Sequence, residues 1–235
     1  MNGKLATVAT TGLICAFVFL TLGTGLSGPD WANAGRWWGG MRSGCESAAS
    51  GKQQVILPFS SNGSLAVDIP ASVQYRPGGK AEAVISGDPA LLDHVRLQGG
   101  RLSLDCDPGW SSSKFEVSLS GPLVTDWKVR GSGDLALSQL DQSDLRLSIS
   151  GSGSVSATGS AHTVDLEISG SGTARLKDLA AQSVKIRVRG SGDAEVAAAA
   201  DADISISGSG NIELYGHPVL RRSEIRGSGR LVQVP

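Results

Sequence analysis

Along the C-terminal half of the chain, apolar side chains fall in fixed columns that repeat together with a three-residue signature. Gly-Ser-Gly begins at Gly131, Gly151, Gly170, Gly190, Gly208 and Gly227, at intervals of 20, 19, 20, 18 and 19 residues. Two residues before each triplet stand Val129, Ile149, Ile168, Val188, Ile206 and Ile225, β-branched every time. Four residues before it stand Trp127, Leu147, Leu166, Ile186, Ile204 and Ser223, and four after it Leu135, Val155, Ala174, Ala194, Ile212 and Leu231. Polar residues fill most of the places between. Side chains two apart on a strand share a face, so each column points one kind of residue inward, coil over coil.

A unit of about 19 residues cannot bury its apolar face alone, whereas stacked copies make a continuous core. The pattern predicts an all-β fold: a single-stranded parallel β-helix, or solenoid, over residues 121–235, with about 19 residues per coil and the right-handed sense favoured. Its corners are the glycines Gly131, Gly133, Gly151, Gly153, Gly170, Gly172, Gly190, Gly192, Gly208, Gly210, Gly227 and Gly229. A sharp turn between strands needs positive φ or close backbone approach, and glycine permits both. The last coil departs from the pattern, with Ser223 in an inward column beside Arg221 and Arg222, as expected of a terminal cap.

Ahead of the repeat, residues 51–120 read as a separate β region of short alternating strands: Gln54–Leu57, Ser64–Ile69, Ala81–Ile85, Val95–Leu97 and Arg101–Leu104. Gly87-Asp88-Pro89 opens a turn followed by one helical turn, and Gly99-Gly100 marks a tight connection. This region is placed to cap the other end of the stack.

The N-terminus has a different character. Lys4 precedes an uncharged stretch from Leu5 to Leu26, and Ala32-Asn33-Ala34 offers small residues where a signal peptidase reads. Residues 1–34 are therefore a signal peptide or an uncleaved membrane anchor. Residues 35–50 form a Gly/Ser-rich linker, in which Trp37 and Trp38, like Trp31 before them, suit a membrane interface. Export leaves Cys45 and Cys106 in an oxidising compartment, where they form either one disulfide or two separate thiols. Glycine is abundant at 32 residues and aromatics sparse at 5%, which suits an aliphatic, layered core. Lys+Arg (21) and Asp+Glu (22) nearly cancel and no basic block stands out, which argues against binding nucleic acid through a charged face.

The order of these features resembles one bacterial family, described as putative auto-transporter adhesin, head GIN domain. The resemblance rests on the segment from Val84 to Val95, followed by Gly100-Arg101-Leu102-Ser103-Leu104. It rests also on corners such as Arg130-Gly-Ser-Gly-Asp134 and Ser207-Gly-Ser-Gly-Asn211, and on Tyr215-Gly216-His217-Pro218. It covers roughly Gln53 to Val234. What it implies is an extracytoplasmic β-helical protein, with no catalytic residues to carry over.

The candidate chemistry is thin. Gly-Ser-Gly-Asp at Asp134 and Asp193 is similar to a calcium turn, yet the same position in the other coils holds Ser154, Thr173, Asn211 and Arg230. No Lys-Ser/Thr follows the glycines to cradle a phosphate. Neither a cofactor nor a metal is implied. Asp165 and Glu167 are adjacent outward positions that could in principle serve as an acid pair, and they read more simply as a wet face. His94, His162 and His217 fall in different segments with no common spacing. Arg130, Arg189 and Arg226 each stand just before a corner, on a face that either binds a surface glycan or envelope polymer or simply keeps the solenoid soluble. The expectation is an exported, non-enzymatic, adhesin-like binding or structural module of the cell envelope. The alternative is a polysaccharide lyase or hydrolase built on a β-helix.

Overall fold

The computed structural model describes Cys45, residues 53–107 and residues 114–235. The signal or anchor segment 1–34, Trp31, Trp37, Trp38 and all of the linker except Cys45 lie outside the described residues. Within them no helix is long and apolar enough to cross a membrane.

The alternating columns form a parallel β-solenoid built on two long ladders. The first ladder stacks β2 (Ser64–Val67), β7 (Asp126–Gly131), the second halves of β8 (Asp134–Gly151) and β9 (Ser154–Gly170), then β11 (Leu179–Gly190), β13 (Asp201–Gly208) and β15 (Val219–Gly227). The second stacks the start of β3 (Ala71–Ser86), the first halves of β8 and β9, then β10 (Thr173–Leu176), β12 (Asp193–Ala197), β14 (Asn211–Tyr215) and β16 (Arg230–Val234). A short third side joins them, where Leu140–Gln142, Gly159–Ala161 and Leu179–Ala181 pair in register. The chain passes from the first ladder to the second at each Gly-Ser-Gly.

Both glycines of a triplet are needed, for different reasons. Gly170 has φ +118°, and a Cβ there would lie 2.6 Å from the carbonyl oxygen of Gly151. Gly172 is buried, and a Cβ there would meet Ile149 Cγ2 at 2.5 Å and the carbonyl of Gly153 at 2.8 Å. The serine between them is exposed. Its backbone N–H is what counts: Ser171 donates to Gly151 O at 2.9 Å, and the next rung, Thr173 N–H to Gly153 O, follows at 3.0 Å. The ladder thus turns the corner without losing a rung, which satisfies backbone groups that a loop would leave to water.

Every inward column is buried from β7 to β14, including Val129, Ile149, Ile168, Val188 and Ile206, and among the described residues no polar residue is buried with them. The stack begins earlier than its first triplet. Val67 is in register with Val129, and Ala71-Ser72 lies beneath the Gly133-Asp134 corner, so Ser64–Tyr75 is itself a coil. Its corner is Asp68-Ile69-Pro70, which carries no glycine signature. The chain then leaves the stack and returns at β7. This excursion holds α1 (Pro89–Leu92), β4 (Val95–Gln98), β5 (Arg101–Leu104) and β6 (Phe115–Gly121). It extends both ladders beyond the first coil. β5 pairs with β2 and then with antiparallel β4. β6 pairs with both halves of β3, and the second half of β3 pairs in turn with antiparallel β1 (Gln54–Pro58). The widest core residues sit at this end: Trp127 and Tyr75 meet with ring centroids 4.8 Å apart, each held by a hydrogen bond to a nearby carbonyl.

The corner geometry makes a direct prediction. Gly170→Ala and Gly172→Ala should each lower the free energy of unfolding by about 1–3 kcal/mol, from backbone strain in one case and overpacking in the other. Ser171→Ala should stay within about 0.5 kcal/mol of wild type. Denaturant midpoints measured on the three variants provide the comparison.

Candidate functional site

The solenoid offers two broad outer faces, one on each ladder, and their charges are organised differently. On the first-ladder face, acidic and basic coils alternate from β9 onward, and cross-coil ion pairs follow from the register. Arg130 and Arg101 both reach Asp68, at 3.1 Å each. Asp165 stands between Arg146 and Arg187, at 3.9 and 3.2 Å. Arg189 pairs with Glu167, and Arg226 with Glu224 at 2.5 Å. Arg221 and Arg222 reach back from the last coil to Asp201 and Asp203, at 3.0 and 3.8 Å.

Arg130, Arg189 and Arg226 therefore do not converge. Three rungs separate the first two and two rungs the others, and each guanidinium is already shared with a carboxylate. Asp165 and Glu167, adjacent on their strand, are likewise occupied by arginines.

The second-ladder face is flatter and more varied. Two neighbouring depressions of about 320 and 450 Å³ lie on it, and Arg175 lines both. Ser72, Asp134, Ser154 and Ser156 line the first; Asp193, Glu195, Asn211 and Glu213 line the second. Asp134 and Asp193 share one register column three rungs apart, as the repeat spacing requires. Neither is an open ligand set. Asp134 lies 3.6 Å from Lys114, and Asp193 Oδ1 accepts from both the backbone N–H and the side-chain amide of Asn211, at 2.9 and 3.0 Å.

Glu195 and Glu213 are direct cross-strand partners, a carboxylate pair that becomes visible only when the position five residues after each triplet's first glycine is aligned between these two coils. Lys177 lies 3.5 Å from Glu195, and the Tyr215 hydroxyl donates to Glu213 at 2.9 Å. That hydrogen bond is the main cause that raises the Tyr215 hydroxyl above its ordinary value.

Away from both faces, Cys45 and Cys106 are joined in a disulfide, with Cα atoms 5.3 Å apart, just past the end of β5. Beside it, His94 Nδ1 and Asp105 Oδ1 are 2.8 Å apart, and Arg96 lies 2.6 Å from the other carboxylate oxygen. These contacts, His94 foremost, hold the Asp105 carboxyl below its ordinary value. His94, Asp105 and Cys106 lie close enough to suggest a metal site, but the sulfur is bonded to Cys45 and offers no thiolate. His217 lies at the corner after β14, next to the Pro218 turn, and His162 is exposed on β9.

A family profile described as putative auto-transporter adhesin, head GIN domain matches residues 64–218, most of the described chain. The chain belongs to that family. The matched span opens on Ser64, the start of the glycine-free first coil. A crystal structure described as a putative adhesin from Bacteroides fragilis has 18% sequence identity and a TM-score of 0.58; the match covers 77% of this chain and 96% of that one. Another, described as a putative adhesin from Parabacteroides distasonis, has 20% identity, a TM-score of 0.51 and coverage of 77% and 96%. At these identities the likeness shows the fold: this GIN-domain chain is a β-solenoid like theirs. No curated protein matches its sequence.

One ion pair on the first face can be tested by titration. Arg221, and after it Ser183, hold the Asp201 carboxyl below its ordinary value. A depressed carboxylate stabilises the fold above its unfolded pKa, roughly 3.9, and loses that contribution as pH falls through the lower, folded value. The unfolding midpoint of wild type should therefore exceed that of Arg221→Gln at neutral pH, with the gap closing as pH falls below about 4. A gap independent of pH would remove Asp201 from the account.

Proposed function

We propose that this GIN-domain chain is an exported, non-enzymatic binding module of the bacterial cell envelope, which holds an envelope polymer against the outer faces of its solenoid. The observation that carries this reading is the placement of its chemistry. The polar side chains lie on broad outer faces at fixed coil spacing rather than in a cleft, and their carboxylates are largely occupied by neighbouring donors. Such a face suits a long, repeating ligand held by many weak contacts. The segment 1–34 is the part that carries the module out of the cytoplasm, and the family's description as an adhesin supports the same location.

The purified full chain should co-sediment with insoluble envelope polysaccharide and remain in solution without it. If no envelope polymer from any source brings it down, the reading falls.

A second reading, a polysaccharide-active enzyme, is favoured by one observation. Glu195 and Glu213 face each other across adjacent strands beside the second depression, and glycoside hydrolysis uses two carboxyls about 5–9.5 Å apart. Incubation with a panel of soluble glycans decides between them. The binding reading expects no new reducing ends or unsaturated products. Product release that disappears in Glu213→Gln would establish the enzyme instead.

A further inference from the structure

The arginines of the two faces divide cleanly. On the first ladder every arginine among the described residues has a carboxylate partner, from Arg101 and Arg130 on Asp68 to Arg226 on Glu224. On the second ladder the outward arginines are Arg76, Arg175 and Arg230, and among the described residues none is paired with a carboxylate. Arg175 donates only to the hydroxyl of Ser154, at 3.3 Å. It does so although Glu195 is its direct partner on the next strand, since that carboxylate lies instead beside Lys177.

The register places these three residues on a line. Arg76 follows Tyr75, the partner of Leu137; Arg175 is the partner of Ser156; and Arg230 is the partner of Asn211. Counting rungs, Arg175 is three coils from Arg76 and three from Arg230. Each step is about 14 Å along the axis and two residues, about 7 Å, across the strands. The result is a diagonal track of bare guanidinium groups, with Arg175 at the common wall of the two depressions and Arg76 and Arg230 beyond them.

The spacing selects the ligand. A guanidinium presents planar paired donors that match a carboxylate. Duplex DNA carries about one negative charge per 1.7 Å of axis, far denser than three cations at 14 Å steps, and the same face carries Asp134, Asp193, Glu195 and Glu213 to repel it. A chain of mostly neutral sugars with an occasional carboxylate fits better. One extended pyranose is close in length to the coil repeat of about 4.8 Å, so consecutive sugars would keep step with consecutive coils. Sugar hydroxyls would donate to the remaining lone pairs of Asp193, Glu195 and Glu213.

We infer that the second-ladder face binds an extended, sparsely acidic polysaccharide running along the solenoid, with its carboxylates on Arg76, Arg175 and Arg230. The inference rests on the binding-module reading and names the face and the ligand class for it.

The test uses calorimetric titration of the full chain with synthetic glucan fragments that carry a glucuronate at every third sugar, and with the same fragments after their carboxyls are reduced to alcohols. Native fragments should bind at least about tenfold more tightly than reduced ones, the loss expected for a charge-assisted contact. Arg175→Gln should lose the same factor while melting like wild type, since its side chain is exposed. Arg189→Gln, on the other face, should bind as wild type does. Equal affinity for native and reduced fragments, no binding of native fragments, or an Arg175→Gln variant that binds normally would each overturn the inference. In any of these cases, co-sedimentation with envelope polymer would leave the wider reading standing.

Discussion

The structure depends on how one glycine sits on another. At every triplet corner after the first, a backbone N–H of one coil donates to the glycine carbonyl of the coil before it, as Ser191 does to Gly170 and Ser209 to Gly190 at 2.9 and 2.8 Å. That rung forms only if nothing projects from the backbone at either glycine of the triplet, one because of its φ and the other because of the β-branched side chain two residues before the preceding triplet. Once the corner is fixed, the length of the coil follows, and with it the register that brings Ile149, Ile168 and Val188 into one column. The outer faces inherit the same register. Ion pairs between residues about 20 apart in sequence, such as Arg187 with Asp165, exist because the corners return every coil to the same register.

The two ends of such a stack pose a problem that the middle does not, since a parallel ladder offers its open edge to any other strand. At the N-terminal end the chain resolves it by leaving the stack and covering the first coil with β6, the second half of β3, and the β4–β5 hairpin, packed around the largest side chains. The C-terminal end is defended by different means. A bulge shifts β15 between the partners of Ala202 and Asp203, Arg221 and Arg222 fold back onto acidic residues, and polar Ser223 occupies an inward column. Apolar residues remain uncovered there, with Val219 68% exposed and Ile225 42%, whereas Ile206, one rung earlier in the Ile225 column, is buried.

Much of this was legible in the sequence, because the repeat writes its corners and inward columns directly. What could not be read has identifiable causes. The first coil, Ser64–Tyr75, turns on Asp68-Ile69-Pro70 and so lacks the triplet that marks the others; about fifty residues then separate it from the strand it lies against. The third side is too short, at three paired residues, to show an alternation of its own. The unpaired arginines fall in three different columns, two residues apart along the strand each time, and no single-column comparison assembles them. Conversely, Arg130, Arg189 and Arg226 are conspicuous as a column, while the carboxylates that occupy two of them come from the preceding coil and only the third from a near neighbour.

The central claim, that the corners are hydrogen-bonded rungs rather than loops, is open to one direct measurement. Amide hydrogen exchange resolved at Ser152, Ser171, Ser191 and Ser209 should show protection equal to that of the flanking strands. The amide of Leu123, in the exposed turn between β6 and β7, should exchange freely and provide the internal reference. If the triplet serines exchange at the rate of that turn, the corners do not hold the coils in register and the account of the fold and its faces fails with them.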